Sequence, residues 1–383
     1  VFLYIVLQFL VCAWVFGQVT AFAARLGCSR GVQYAVTAFF ALDPIWGAFI
    51  QTQVKDTLYT GLFVLFVLKT ADLLLFPQEW QGGRPRLTAY AVLGVLCCLL
   101  RKNGIYAVVP MLLASAFTVS EKRLRRPVLA VLLAVCIGSF GFDTFTEKVL
   151  DIPAGSVGEA LSVPMQQTAR YIRDYGNEVT DDERTAIEKV LDYDAIAQSY
   201  MPELSDGVKQ YYKNPGKGDL ARYMLVWAKM LLKHPVCYFE ATHANSHGYY
   251  TITKCRAIND YYTFNNDICM EMSEMNVHYL DKSGYLRYAF VQALSAFEKL
   301  PLVGLTTSIG FMAWLTAVLG LWLARCKAKP VLPVFIGLGI FWLTCIASPV
   351  NDCMRYFLPV AGCLPLVFCL AAVFSREKSE ITV

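Results

Sequence analysis

The sequence predicts a mainly α fold: a polytopic transmembrane helical bundle of about nine spans, with one large, mostly helical extracytoplasmic domain inserted between spans six and seven. Three observations predict it. The 383 residues are 56% hydrophobic, with a mean hydropathy of +0.44. Charged residues make up only 17%, below the roughly 25% of soluble domains. Those charges gather in short loops and in one central block, about Thr144 to Lys299, which holds every histidine and most of the acidic residues.

Apolar segments lie at 1–24, 33–50, 57–76, 87–100, 105–119, 128–143, 302–325, 331–347 and 356–374, to be compared with the roughly 20 residues that a spanning helix needs. The fourth and fifth are short. Arg101-Lys102-Asn103-Gly104 separates them, so they read as one hairpin whose tip sits at the membrane edge. The second contains Asp43-Pro44. Proline disfavours helical backbone in the residue before it, so this helix is expected to end near Leu42. Asp43 to Thr57 then forms a re-entrant or interfacial segment, of a kind tolerated at that depth only against protein or a wet cavity. The expected organisation is 1–143 for spans one to six, 144–301 for the extracytoplasmic domain, and 302–383 for spans seven to nine with a short cytoplasmic tail.

Within the central block, Glu147 to Val163 is a lead-in punctuated by Gly and Pro, and Met165 to Tyr175 has helical character. Thr180-Asp181-Asp182-Glu183 is an N-cap signal with acid in the first turn, opening a helix to about Leu191. A loop at Asn214–Gly218 precedes an amphipathic helix from Asp219 to Leu232. His234-Pro235 stops that helix and can start the next one. Leu286 to Leu300 reads as an interfacial amphipathic helix ahead of span seven.

Lysine and arginine in short loops set the orientation. One set of alternating loops holds Arg25, Arg30, Arg84, Arg86, the Lys122–Arg126 cluster, Arg325, Lys327, Lys329, Arg376 and Lys378. The opposite set holds only Lys55, Arg101, Lys102 and Arg355. The first set is therefore expected in the cytoplasm, with the C-terminus inside and the central block outside. No basic stripe suggests nucleic acid, and no internal repeat or low-complexity tract is present. The chain opens on Val1 within an apolar run, without a charged n-region or an A-x-A-like cleavage site. It reads as lacking its front rather than as carrying a signal peptide. Most of the 13 cysteines sit in apolar runs as small buried hydrophobes. Cys237, Cys255 and Cys269 in the central block and Cys353 at a membrane edge have no pairing that sequence can fix.

The four basic residues on the sparse side point to chemistry, because charge at a membrane edge that faces the bundle marks pathways and sites. Lys55, Arg101, Lys102 and Arg355 lie in three separate loops. Converging, they build a cationic pocket for a lipid-linked phosphate or pyrophosphate, held by charge-assisted hydrogen bonds. The alternative is a set of snorkelling side chains that anchor helix ends. Asp56 and Asp352 are the carboxylates on that face. Each is a candidate general base, an orienter of a neighbouring cation, or a metal ligand. Gln166, Gln167 and Arg170 in the central block, with Tyr356, are candidates for the acceptor side. His243 and His247 stand at i, i+4 with Glu240 and His278 as unforced further ligands. No metal is assigned, and a divalent ion remains unsupported. Lys69 and Asp72 in span three read as a snorkelling pair.

Several stretches resemble polytopic bacterial proteins of the GT-C glycosyltransferase superfamily. They are Asp43-Pro44-Ile45-Trp46 followed by Lys55-Asp56-Thr57-Leu58, then Leu100-Arg101-Lys102-Asn103-Gly104, the helices broken at His234-Pro235, and Arg355-Tyr356-Phe357-Leu358-Pro359. An uncharacterised branch is similar also in Ser162-Val163-Pro164-Met165-Gln166-Gln167-Thr168-Ala169-Arg170, Ser205-Asp206-Gly207-Val208-Lys209 and Gly248-Tyr249-Tyr250. The resemblance spans nearly the whole chain. It implies a multi-pass protein of the bacterial cytoplasmic membrane that moves a sugar from a polyprenyl-phosphate donor to a cell-envelope glycan or protein on the outer face. It also implies a catalytic Asp or Glu in a first external loop. Nothing here matches that loop, so the general base is expected upstream of Val1. The other readings are a non-enzymatic flippase of a lipid-linked glycan and a surface-polysaccharide ligase or polymerase.

Overall fold

The computed structural model describes residues 2–152, 155, 157–252, 284–326 and 328–381. The chain is predominantly helical, and among the described residues the only extended pairing is in isolated bridges. It divides into two compact units: unit 1, Val1–Phe142 with Tyr250–Trp342 and Cys353–Val383, and unit 2, Asp143–Tyr249 with Leu343–Asp352.

The first helices are α1 (Phe2–Arg25), α2 (Arg30–Leu42), α3 (Pro44–Ile50), α4 (Lys55–Leu75), α5 (Arg84–Leu100), α6 (Ile105–Thr118) and α7 (Lys122–Lys148). Among the described residues, five helices are long and apolar enough to cross a membrane: Phe2–Arg25, Lys55–Leu75, Lys122–Lys148, Lys329–Ile346 and Met354–Ser375. Ile309–Arg325 is a shorter apolar helix. Three of the apolar segments instead fall in α2, α5 and α6, of 13, 17 and 14 residues. Their limits have local causes. Pro44 and the capping Asp43, whose side chain accepts from Ile45 N at 3.1 Å, end α2 and start α3. Arg101 adopts extended backbone (φ −142°, ψ 113°) and ends α5.

In unit 1, α4 is central. Its apolar window is 78% buried, as is that of the last helix, against 28% for α1 and 22% for α7. Helices that are apolar all round belong in the middle of a bundle. Asp72 near the C-terminal end of α4 is buried. The expected pairing with Lys69 is not made: Asp72 Oδ1 accepts from Arg25 Nη1 at 2.6 Å and Oδ2 from Trp80 Nε1 at 3.0 Å. The guanidinium at the end of α1 offers a planar fork that a lysine one turn away cannot match.

Unit 2 contains α8 (Ser162–Tyr175), α9 (Asp181–Glu188), α10 (Tyr193–Gln198), α11 (Asp206–Lys209), α12 (Lys217–Lys233) and α13 (Pro235–Ser246). The rest of the chain supplies α14 (Tyr285–Glu298), α15 (Ile309–Arg325), α16 (Leu332–Ile346) and α17 (Met354–Ile381). The core of unit 2 gathers Met165, Tyr171 and Ile172 of α8, Ile187 of α9, Tyr223 and Met230 of α12 and Tyr238 of α13. Some of its buried polar groups find partners: Thr168 and Tyr223 hydroxyls meet at 2.9 Å, and Tyr238 OH donates to Trp227 O at 2.9 Å, while the Tyr171 hydroxyl has none among the described residues. His234 ends α12, stacks on Tyr175 at 3.8 Å and bonds Glu178 at 2.8 Å.

Residues 343–352 belong to unit 2 as a strap. Ser205 N donates to Pro349 O at 2.8 Å and Asn351 N to Glu203 O at 2.9 Å, around an antiparallel bridge between Leu204 and Val350. Asn245 Nδ2 donates to Ser348 O at 2.8 Å, and Tyr249 OH to Val350 O at 2.9 Å. Gly248 accounts for part of the Gly248-Tyr249-Tyr250 signature. A Cβ there would lie 2.4 Å from Asp352 Cβ.

Thr180 caps α9 with a reciprocal box: Glu183 N donates to Thr180 Oγ1 at 3.4 Å and Thr180 N to Glu183 Oε2 at 3.0 Å. Lys233 Nζ adds a bond to Glu183 Oε1 at 2.6 Å. Burial alone would raise the Glu183 carboxyl, but Lys233 and the Thr180 backbone outweigh it and hold it below the usual carboxylate range. A depressed folded value gives stability that is complete above the unfolded value, near pH 4.3, and lost as pH falls through the folded one. Glu183→Gln is therefore expected to destabilise the full chain by about 1 kcal/mol at pH 7, with the difference closing below about pH 4. Unfolding midpoints in detergent at several pH values check it; a gap unchanged between pH 7 and pH 3 would refute it.

Candidate functional site

Charges from three elements of unit 1 meet at the N-terminal end of α4. Asp56 lies in the first turn, where the helix dipole favours an anion, and its side chain is only 9% exposed. Arg101 Nη1 donates to Asp56 Oδ1 at 3.0 Å. Arg355, in the first turn of α17, brings Nε to 3.7 Å from Asp56 Oδ2. That separation is too long for a hydrogen bond, and Arg355 Nε is a buried donor without one.

Local sequence explains how the arginines arrive. The extended backbone at Arg101 turns the chain into the short turn Lys102–Gly104. A Cβ on Gly104 would lie 2.8 Å from Cys97 O and 3.1 Å from Tyr59 OH, so glycine lets the turn lie that close. The Arg101 guanidinium stands 5.9, 5.5 and 5.0 Å from the ring centres of Tyr59, Phe341 and Tyr356, within the range of cation–π attraction. Arg355 stands 4.9 Å from the Tyr356 ring and donates to its hydroxyl at 3.1 Å. The Arg355 side chain is 34% exposed and that of Arg101 13%.

Two guanidinium groups against one carboxylate leave this cluster with a surplus positive charge, framed by aromatic rings. Both Asp56 oxygens face arginines, so Asp56 acts as their positioning residue. Such an arrangement can receive an anion and hold it against fixed charge.

The other sequence candidates fall elsewhere. Lys55 is exposed and takes no part in an ion pair among the described residues. Lys102 is exposed on its turn. Asp352 belongs to unit 2, with a left-handed backbone (φ 50°). Gln166, Gln167 and Arg170 are engaged within unit 2. Gln166 Nε2 donates to Met201 O; Gln167 accepts from Trp227 Nε1 at 3.0 Å and donates to Thr242 Oγ1 at 2.9 Å. Arg170 pairs with Glu240 and with Asp174, the latter at 3.3 Å. His243 and His247 have ring centres 5.7 Å apart, and Asn351 Nδ2 lies 3.0 Å from His247 Nδ1. No metal-binding group of three ligands is present among the described residues. His278, Cys255 and Cys269 lie outside the described residues. Cys237 and Cys353 are free thiols.

Tyr59 and Phe341 escaped the sequence reading, because aromatic residues in apolar runs carry no mark of a site. The available signal for Tyr59 is its spacing: it stands three residues after Asp56, on the same helix face. Removing the carboxylate tests the cluster. Asp56→Ala leaves two arginines facing each other without a counter-charge, and the expected loss is about 3 kcal/mol, the lower end for breaking a buried pair. Arg355→Ala, at the more exposed partner, is expected to cost about 1 kcal/mol or less. Thermal midpoints of the full chain in detergent read both, and an Asp56→Ala midpoint equal to wild type would show that the ion pairs contribute nothing.

A family model described as "Family of unknown function (DUF6020)" matches residues 1–382, and the chain belongs to that family. No curated protein and no solved structure matches it.

Proposed function

We propose that this member of the family is an integral membrane glycosyltransferase of GT-C type. It moves a sugar from a polyprenyl-phosphate donor to an envelope glycan or protein on the outer face of the bacterial cytoplasmic membrane. The observation that carries this reading is the net-positive Asp56–Arg101–Arg355 cluster at the end of a helix long enough to cross a membrane. Arg355 Nε, a buried donor without a hydrogen bond, supports it as well: such a donor costs about 1–3 kcal/mol unless an acceptor arrives, and a phosphate oxygen is one.

In this reading Arg101 and Arg355 hold the donor phosphate. As the sugar–phosphate bond breaks, negative charge builds on the phosphate, and guanidinium groups already fixed by Asp56 and the aromatic rings stabilise it without reorganising. Lys55 and Lys102 are exposed chain neighbours of Asp56 and Arg101. The general base is not assigned to Asp56, whose oxygens serve the arginines. The bundle has about nine spans, including shorter helices such as α5 and α6. Unit 2 lies outside and the C-terminus inside, as the distribution of lysine and arginine over the short loops supports.

Two measurements test this. Arg101→Ala and Arg355→Ala should each weaken binding of a polyprenyl-phosphate sugar to the purified full chain by about 1.5–3 kcal/mol, roughly ten- to a hundredfold. Arg101→Lys should keep part of the binding, since a point charge replaces a fork, and His243→Ala and His247→Ala should change little. Equal binding by all variants removes the donor site; binding with the donor left intact under every acceptor tried favours a carrier. For sidedness, Asp181→Cys is expected to react with an impermeant maleimide in intact cells and Arg125→Cys is not. The reverse pattern would move the cluster to the cytoplasmic side.

A further inference from the structure

A second feature of unit 1 lies at the opposite end of α4, about 20 Å along the helix from Asp56 at 1.5 Å per residue. A crevice of about 530 Å³ runs between α1, α4 and α5, in the size range of small-molecule sites. Its walls change character along its length. On α4, Leu65, Lys69 and Asp72 follow at helical spacing on one face, and on α5 so do Leu96, Leu93, Ala89 and Arg86. Both helices therefore bring apolar surface to one end of the crevice and charge to the other. α1 repeats the gradient from Trp14 to Arg25, a span of about 16 Å.

The charges at the polar end are committed to one another with one exception. Arg25 bonds Asp72 at 2.6 Å and also Glu79; Arg86 pairs with Glu79 at 3.4 Å. Among the described residues Lys69 has neither a hydrogen bond nor an ion pair. An ammonium on an apolar helix without a counter-charge is costly. The crevice is open along its apolar flank, where Trp14 is 57% exposed, Val92 52% and Leu96 40%. These are side chains that acyl chains would cover.

We propose that this crevice binds one anionic phospholipid, with its phosphate at Lys69 and an acyl chain along Leu65, Leu93 and Leu96. A phosphate supplies the missing counter-charge through charge-assisted hydrogen bonds. The apolar wall and lateral opening argue for a lipid over a free anion, which has no use for either. The site is separate from the Asp56–Arg101–Arg355 cluster and stands whatever that cluster binds.

The test titrates the purified full chain in detergent with dioleoyl phosphatidylglycerol, with phosphatidylcholine of the same chains, and with inorganic phosphate, counting bound lipid by native mass spectrometry. Phosphatidylglycerol is expected to bind at least tenfold more tightly than phosphatidylcholine. Lys69→Gln, which removes the charge, and Leu96→Trp, which fills the apolar groove, should each weaken it roughly tenfold, while Lys69→Arg should retain most of it. Unfolding midpoints in lipid-free detergent verify that the variants are folded. Lys69→Gln is expected to match or exceed wild type there, since it removes an uncompensated charge; if it is lowered, Lys69→Arg and Leu96→Trp carry the comparison. Unchanged phosphatidylglycerol binding in Lys69→Gln and Leu96→Trp would overturn the proposal. So would displacement of the lipid by inorganic phosphate at similar concentration, which would assign the crevice to a free anion.

Discussion

Each end of α4 carries a carboxylate that its surroundings bury, and a buried carboxylate demands a cation from elsewhere in the chain. Asp56 takes Arg101 from the turn after α5 and Arg355 from α17; Asp72 takes Arg25 from the end of α1. Dispersion holds such helices side by side in a bilayer, but this force tolerates sliding. Ion pairs at both ends do not, because a slip of one turn moves a side chain by about 5.4 Å and would strand a charge at a cost of several kcal/mol. The axial positions of α1, the α5–α6 turn and α17 in unit 1 are thus tied to a single helix.

The two ends solve the same problem with different remainders. At the Asp72 end Arg25 and Arg86 pair with Asp72 and Glu79, Trp80 adds a neutral donor, and the surplus is Lys69, which stands apart from those pairs. At the Asp56 end two arginines share one carboxylate, and Arg355 Nε has no hydrogen bond. Aromatic rings around Arg101 spread part of that surplus over their faces without neutralising it. Paired charges serve as an anchor, whereas charge to spare, on the arginines at one end and on Lys69 at the other, has affinity left for something outside the chain.

Much of this was legible in the sequence, and the limits have physical causes. Charge at the ends of long apolar runs singles out Asp56, Arg101 and Arg355, because few other roles explain charge there. Thr180 with Glu183, and His234 with Pro235, mark helix ends through local bonding rules, and the helices end where those rules place them. Pairings across the chain were less visible. Lys69 and Asp72 share a helix face, so they read as partners, yet Asp72 bonds an arginine 47 residues away. Gln166 and Gln167 look like ligand-binding groups in a polar block but are buried, and their amide nitrogens bond backbone and side chains of their own unit. The limits of α2, α5 and α6 were legible as well, because Asp43-Pro44 stops a helix at Leu42 and Arg101-Lys102-Asn103-Gly104 interrupts the apolar run between Leu100 and Ile105.

The strap formed by residues 343–352 has a consequence for the order of assembly. Unit 2 draws almost all of its residues from Asp143–Tyr249, yet the backbone at Glu203 and Ser205, the Asn245 amide and the Tyr249 hydroxyl have partners that are made about 100 to 150 residues later. At a ribosome adding roughly 5–20 residues per second, that delay lasts on the order of 5–30 s. During it the helical core of unit 2 can collapse, but its strap-facing edge stays open. Completion of this unit is therefore a late event in synthesis, and a chain cut short before Leu343 would leave that edge unfinished however well the helices themselves had formed.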